Sequence, residues 1–180
     1  MSKVAVVTTG GTIASNGGGS DARNLALQVI GTGGNITHEV WTTPLAGTGV
    51  STVPVWTAAS TTENITSLQT TSNTADNFGD RIRGFITAPI SGNYQFLVSS
   101  DENVELWVSS NKELAHTLKR SWIINGANAI NPGTYNTQAS QGSYLMKMKA
   151  GDSYYFEVIR RETTGNDHLS IAWIKPGDTV

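Results

Sequence analysis

The chain has no cysteine, and that one absence removes disulfides, zinc ribbons and thiol catalysis. Charge is scarce as well: 14% of residues are charged and the formal net charge is −2. The few Lys and Arg are scattered, with Lys119-Arg120 and Arg160-Arg161 as isolated pairs whose members point to opposite faces of a strand. No basic footprint for nucleic acid or an anionic membrane is present, so neither is expected as a partner. No apolar run approaches the roughly 18 residues that span a bilayer, which argues against membrane insertion. Lys3 followed by Val4-Ala5-Val6-Val7 is too short for the apolar region of a signal peptide. Helical periodicity is almost missing too; only Thr62–Leu68 has the pattern for a turn or two of helix.

What remains is rich in Ser, Thr, Asn and Gly, a composition that suits strands, turns and hydroxyl-covered surfaces. Strand patterns recur along the chain. Arg81–Thr87 sets Ile82 and Ile86 against Arg83 and Phe85, and Tyr94–Ser99 places Tyr94, Phe96 and Val98 on one face. Ser143–Lys149 opposes Tyr144, Met146 and Met148 to Lys147 and Lys149. Tyr154, Phe156 and Val158 share a face, and Leu169, Ile171 and Trp173 share another. The turns between them have mechanism: Pro89 presets φ, while Gly92 and Asn93 tolerate positive φ. Turn signals every 8–12 residues predict an all-β antiparallel sandwich or barrel. Residues 1–32 read separately, as an N-terminal arm with a Gly-rich linker, and residues 33–180 as the β-domain. Lys119–Gln141 reads as a long excursion between core strands.

The stretch with the most chemistry is Phe96–Trp107. Two alternating apolar strands flank Ser99-Ser100-Asp101-Glu102-Asn103, with Val104 and Leu106 alternating against Glu105 and Trp107. Two adjacent carboxylates repel unless a cation sits between them, and a hard cation such as Ca²⁺ suits oxygen ligands. A solvated acidic turn is the other reading. Catalysis of glycoside cleavage is not expected, because it needs carboxylates about 5–10 Å apart across a cleft, not adjacent on one loop. Asp167-His168 reads first as a turn closed by Asp, and second as a general base with its orienter. His38 and His116 lack partners at metal spacing. Trp41, Trp107 and Trp173 fall in strand patterns, whereas Trp56 and Trp122 lie in less regular segments. Trp122, beside the long excursion, is the better placed of the two to stack on a sugar face, and a buried anchor for that loop is the equal alternative.

Four ordered motifs carry a family resemblance. They are Gly34–Trp41; Asp76–Phe85, with Pro89 and Gly92–Phe96; Ser99–Asn103, with Leu106–Ser109; and Ala150–Tyr155, with Glu162–Leu169 and Ala172-Trp173. Over about residues 33–177 the chain resembles the protective-antigen-fourteen (PA-fourteen) domain, a jelly-roll-type β-sandwich of bacterial toxins, glycosidases, adhesins and fungal flocculins. The resemblance implies a non-catalytic, Ca²⁺-dependent lectin or adhesin domain that binds glycans at a cell or particle surface. In its lectin members two consecutive Asp residues joined by a cis peptide hold the ion together with a second loop. Carried over, the ligands are Asp101, Glu102, Asn166 and Asp167, with Asn103, Trp122 and His168 beside the sugar. Glu102 stands where those members have Asp, and its carboxylate reaches one methylene further. Val4–Ser15 separately resembles the opening strand and nucleophile loop of bacterial L-asparaginases, with Thr12 as the nucleophile. The His-Gly-Thr-Asp-Thr segment and the activating Lys of those enzymes are missing, so that activity is not expected. A structural role in a larger assembly, such as a virion decoration or fibre anchored through residues 1–24 and their subunit contacts, is the alternative function. The expected location is extracellular, on a cell or virion surface.

Overall fold

A computed structural model describes residues 28–29, 31–42, 45–70, 72–124 and 130–178. Among the described residues ten strands follow in chain order: β1 (Gln28–Val29), β2 (Gly31–Trp41), β3 (Thr61–Ser67), β4 (Phe78–Thr87), β5 (Gly92–Ser100), β6 (Asn103–Ser109), β7 (Thr117–Ile123), β8 (Met146–Met148), β9 (Ser153–Glu162) and β10 (Leu169–Ile174). They form an all-β antiparallel sandwich. One sheet has the order β1-β10-β5-β8 and the other β3-β2-β4-β9-β6-β7.

The alternation in the sequence explains the two layers. Tyr94, Phe96 and Val98 of β5 are fully buried, as are Phe156 of β9 and Ile171 of β10, and they meet between the sheets. Burying a side chain of this size contributes about 1.5–3 kcal/mol. On the opposite faces Arg81 and Arg83 reach Glu39 at 2.7 and 2.9 Å, so the polar half of each alternation pairs on the outside.

Several expectations change. Thr62–Leu68 is not helical: β3 pairs antiparallel with β2 in the register Ile36↔Ile65 to Val40↔Thr61. Its run of Thr and Ile favours a strand, and pairing with β2 decides the matter. Gln28–Val29 pair with Trp173 and Ala172, inside the stretch assigned to the arm. Tyr144 does not join Met146 and Met148 in the core; it is 93% exposed, because β8 begins only at Met146. The excursion expected from Lys119 begins as strand, since β7 runs to Ile123 and carries Trp122. Thr12, the asparaginase-like segment and the arm at 1–24 lie outside the described residues. Among the described residues no helix is long and apolar enough to cross a membrane.

A charged row crosses the interior. Asp80 of β4 and Arg160 of β9 are register partners and are 1% and 2% exposed. The guanidinium donates Nε to Asp80 Oδ1 at 3.0 Å and Nη2 to Oδ2 at 2.8 Å, and it lies over the Phe78 ring at 4.9 Å. His38 of β2 lies 3.0 Å from Asp80 through Nε2 and 2.9 Å from Glu63 through Nδ1. Burial pushes the Asp80 carboxyl up, but Arg160 and then His38 outweigh it and hold the group below the usual carboxylate range.

Candidate functional site

The acidic turn is not the tip of a single sheet. β5 lies in the four-stranded sheet and β6 in the six-stranded one, so Asp101-Glu102 is a corner between the two layers. Residues 163–168 make a second corner, from β9 back to β10. Antiparallel pairing places the corners side by side, with Ser100 opposite Leu169 and Asn103 opposite Arg161. The contact is direct: the Thr163 hydroxyl donates to Glu102 Oε1 at 2.6 Å. A third segment, residues 72–77, closes the end of the sandwich. It is led there along β10 by Ile171 N–H to Leu68 O at 2.9 Å and Thr70 N–H to Leu169 O at 3.0 Å.

Asp167 ties the third segment to the second corner. Its Oδ2 accepts from Thr74 N–H (2.8 Å), the Thr74 hydroxyl (2.8 Å) and Ala75 N–H (3.0 Å). Asp167 N–H donates to Asn73 Oδ1 at 3.2 Å. Burial raises the Asp167 carboxyl, but the bonds from Ala75 and Thr74 outweigh it and leave it lowered. Its other oxygen, Oδ1, is buried with no hydrogen-bond partner among the described residues. Asp76 and Asn77 are turn residues: Asp76 accepts from Gly165 N–H at 3.0 Å, and Asn77 has φ 55°.

The other expected site residues differ in burial and in the face they take. Asp101 is 7% exposed, and burial, then Glu102, then Asp167 push its carboxyl up. The Asp101–Glu102 peptide bond is trans. Asn166 is exposed on the second corner. Asn103 points to the outer face, where its amide donates to Thr48 O at 2.6 Å. His168 was expected beside the sugar and is instead interior, 4% exposed, with Nε2 3.4 Å from the Ser99 hydroxyl. Burial drives it down to about 4, so it is neutral and inaccessible. Trp122 lies on the outer face of β7 opposite Glu105, with the Lys119 ammonium 5.5 Å from its ring centre.

Glu162 was missed in the sequence. It follows Val158 and Arg160 on the inward face of β9, is fully buried, and neither carboxylate oxygen has a hydrogen-bond partner among the described residues. Ser100 Oγ is in the same condition. Burial raises Glu162 to about 8; Arg160 opposes this, while Glu102, Asp101 and Asp167 add to it. The signal was a carboxylate at an inward position of a strand ending beside the acidic corner. Among the described residues no three carboxylate or imidazole side chains already converge as a metal cage.

Glu162 makes a pH prediction. Between the unfolded value of 4.5 and the folded value of about 8, the folded state holds a proton that the unfolded state releases. Stability attributable to this group therefore falls as pH rises through that window and levels off above it. In EDTA, Glu162→Gln is expected to match the parent near pH 4.5 and to exceed its urea midpoint at pH 8.5. Parallel stability–pH curves for the two proteins would contradict it.

Comparison with known proteins agrees with this architecture. The PA14 domain pattern matches residues 40–179, more than half of the chain. A Mus musculus protein, N-acetyl-beta-glucosaminyl-glycoprotein 4-beta-N-acetylgalactosaminyltransferase 1, is 33% identical over 99 residues. That match takes in 54% of this chain and 10% of the relative, so the chain spans about a tenth of it. Among solved structures, the PA14 domain of the antifreeze protein MpAFP superposes with TM-score 0.55 at 11% identity, covering 81% of this chain and 84% of that one. The Epithelial Adhesin 9 A domain of Candida glabrata, solved with Galβ1-4GlcNAc, superposes with TM-score 0.54 at 8% identity, covering 87% and 86%. At these identities the two structures share the fold.

Proposed function

The chain belongs to the PA14 domain family, and on that premise we propose that it is a non-catalytic glycan-binding module of the adhesin type whose sugar contact is Ca²⁺-dependent. The observation that carries the reading is the meeting of two inter-sheet corners around the buried Oδ1 of Asp167 and the buried carboxylate of Glu162, which have no hydrogen-bond partner among the described residues. Such oxygens are costly to bury unless a proton or cation joins them. A hard divalent ion fits the chemistry of the set: carboxylates from Asp101, Glu102 and Asp167 and the amide oxygen of Asn166 are oxygen donors of the kind Ca²⁺ takes. When bound, the ion supplies open positions for vicinal sugar hydroxyls. Asp101 and Glu102 bring the charge from one corner, and the bonds to Thr74 and Ala75 hold Asp167 in place on the other. The C. glabrata adhesin, with its bound galactoside, supports a glycan as ligand. A surface location, outside the cell, follows from this role.

Catalysis finds no support in the arrangement. Asp101 and Glu102 are consecutive, and His168 is buried with a depressed pKa and a Ser99 partner. Titration calorimetry with galactose and with Galβ1-4GlcNAc tests the reading. Binding is expected in millimolar Ca²⁺ and should disappear in EDTA; binding indifferent to chelation, or none in Ca²⁺, overturns it.

A further inference from the structure

The outer face of the six-stranded sheet carries a second feature, a groove of about 540 Å³ that starts beside the acidic corner. Its floor is Asn103, Glu105 and Trp107 of β6 with Glu157 of β9, and one wall is the segment from Val50 to Trp56. That wall is fastened down. Arg161 donates Nε to Gly47 O and Nη2 to Leu45 O, both at 3.1 Å, and the Asn103 amide donates to Thr48 O. Val53 seats directly on Gly79, where an added Cβ would stand 2.6 Å from it. Only glycine lets the wall approach this closely. A volume of this size lies in the range of small-ligand sites.

Most of the lining is apolar, Val50, Val55, Leu114, Ile123 and Ile124 among it, and two carboxylates interrupt it. Trp56 is 76% exposed at the rim, an indole with nothing stacked on its outer face among the described residues. Glu105 accepts from Trp107 Nε1 at 3.2 Å and from Lys119 at 2.9 Å, and Glu157 accepts from the Tyr155 hydroxyl at 2.9 Å. Each carboxylate has about four acceptor sites, so both retain capacity for hydroxyl donors. Among the described residues no Lys, Arg or His lines the groove. A purely apolar occupant would cover two carboxylates without giving them donors, which is costly. An anionic one would meet the like charge of Glu157 and would compete with Glu105 for Lys119. A neutral pyranose supplies both things required, hydroxyl donors and an apolar C–H face for an indole.

We propose that this groove binds neutral sugar units of an oligosaccharide whose terminal residue occupies the acidic corner, with Trp56 as the stacking platform and Glu105 and Glu157 as hydroxyl acceptors. The proposal rests on the glycan-binding reading above and extends it along β6 from Asn103. It also revises the choice between tryptophans: Trp56 takes the role the sequence assigned to Trp122.

The test compares galactose, lactose and a neutral galactose-terminated tetrasaccharide in calorimetry and tryptophan fluorescence, with Ca²⁺ and with EDTA. The tetrasaccharide is expected to bind about tenfold tighter than lactose, a step of one decade in Kd. Trp56→Ala, at an exposed position, should erase that step while galactose binding stays unchanged, and Trp56→Phe should restore part of it. A tetrasaccharide carrying sialic acid at its end should gain nothing over lactose. Equal tetrasaccharide affinity in the parent and Trp56→Ala, or no gain from chain length, overturns the groove while leaving the corner reading intact. If the Ca²⁺ reading is the one that fails, the tetrasaccharide signal persists in EDTA and still depends on Trp56.

Discussion

An Arg160→Met variant is expected to lose about 3–5 kcal/mol of unfolding free energy, the usual cost of removing one partner from a buried ion pair. The reason lies in what stays behind. Asp80 is 1% exposed, and two of its hydrogen bonds come from the Arg160 guanidinium. Without that group the carboxylate keeps only His38, and one imidazole N–H is a weak substitute for a bidentate guanidinium. The loss should shrink as pH falls, because a protonated Asp80 no longer needs a counter-charge. A double variant, Asp80→Leu with Arg160→Met, should recover much of the loss, since no unpaired charge remains buried. Urea titration at pH 7.5 and 5 measures all three proteins. A single-variant loss below about 1 kcal/mol would mean that the interior is wetter than the geometry indicates.

Asp101→Asn is expected to separate stability from binding. Burial, Glu102 and Asp167 all work against the charged form of Asp101, so a neutral amide should leave the apoprotein as stable as the parent or raise its urea midpoint slightly. The same change removes a full charge from the proposed ion site. Calcium affinity depends steeply on ligand charge count, so a loss on the order of a hundredfold is expected, with glycan binding lost at millimolar Ca²⁺. Asp167→Ala should behave differently, because it also strands the Thr74 and Ala75 N–H groups and lowers stability even in EDTA. Calcium titration followed by heat or by intrinsic fluorescence, with unfolding in EDTA, distinguishes the two. Unchanged Ca²⁺ affinity in Asp101→Asn would remove this corner as the ion site.

Much of the sandwich is legible residue by residue. Tyr94, Phe96 and Val98, or Leu169, Ile171 and Trp173, announce a buried strand face by a period of two, and all six are buried. The pattern fails where context outweighs it. Thr62–Leu68 has weak helical spacing but becomes β3, because β2 offers it a hydrogen-bonding edge. Tyr144 continues the alternation of Met146 and Met148 yet lies outside the strand, where nothing covers it.

The site divides in the same way. Chemistry that depends on neighbouring residues was visible in the chain: the adjacent carboxylates at 101–102, the turn-closing role of Asp167, and the opposite faces of Arg160 and Arg161. Everything that depends on distance between strands was decided by the tertiary structure. Only the sheet order makes the acidic turn a corner between layers and sets the 163–168 corner beside it. Only burial turns Glu162 into a carboxyl with no donor, sinks His168 out of reach, and leaves Trp56 over a groove that glycine at 79 allows to form. Local pattern governs which face a side chain takes, because that is a property of the backbone repeat. Which faces then meet, and what charge they trap between them, depends on pairings as far apart as Asp80 and Arg160, and no local repeat encodes them.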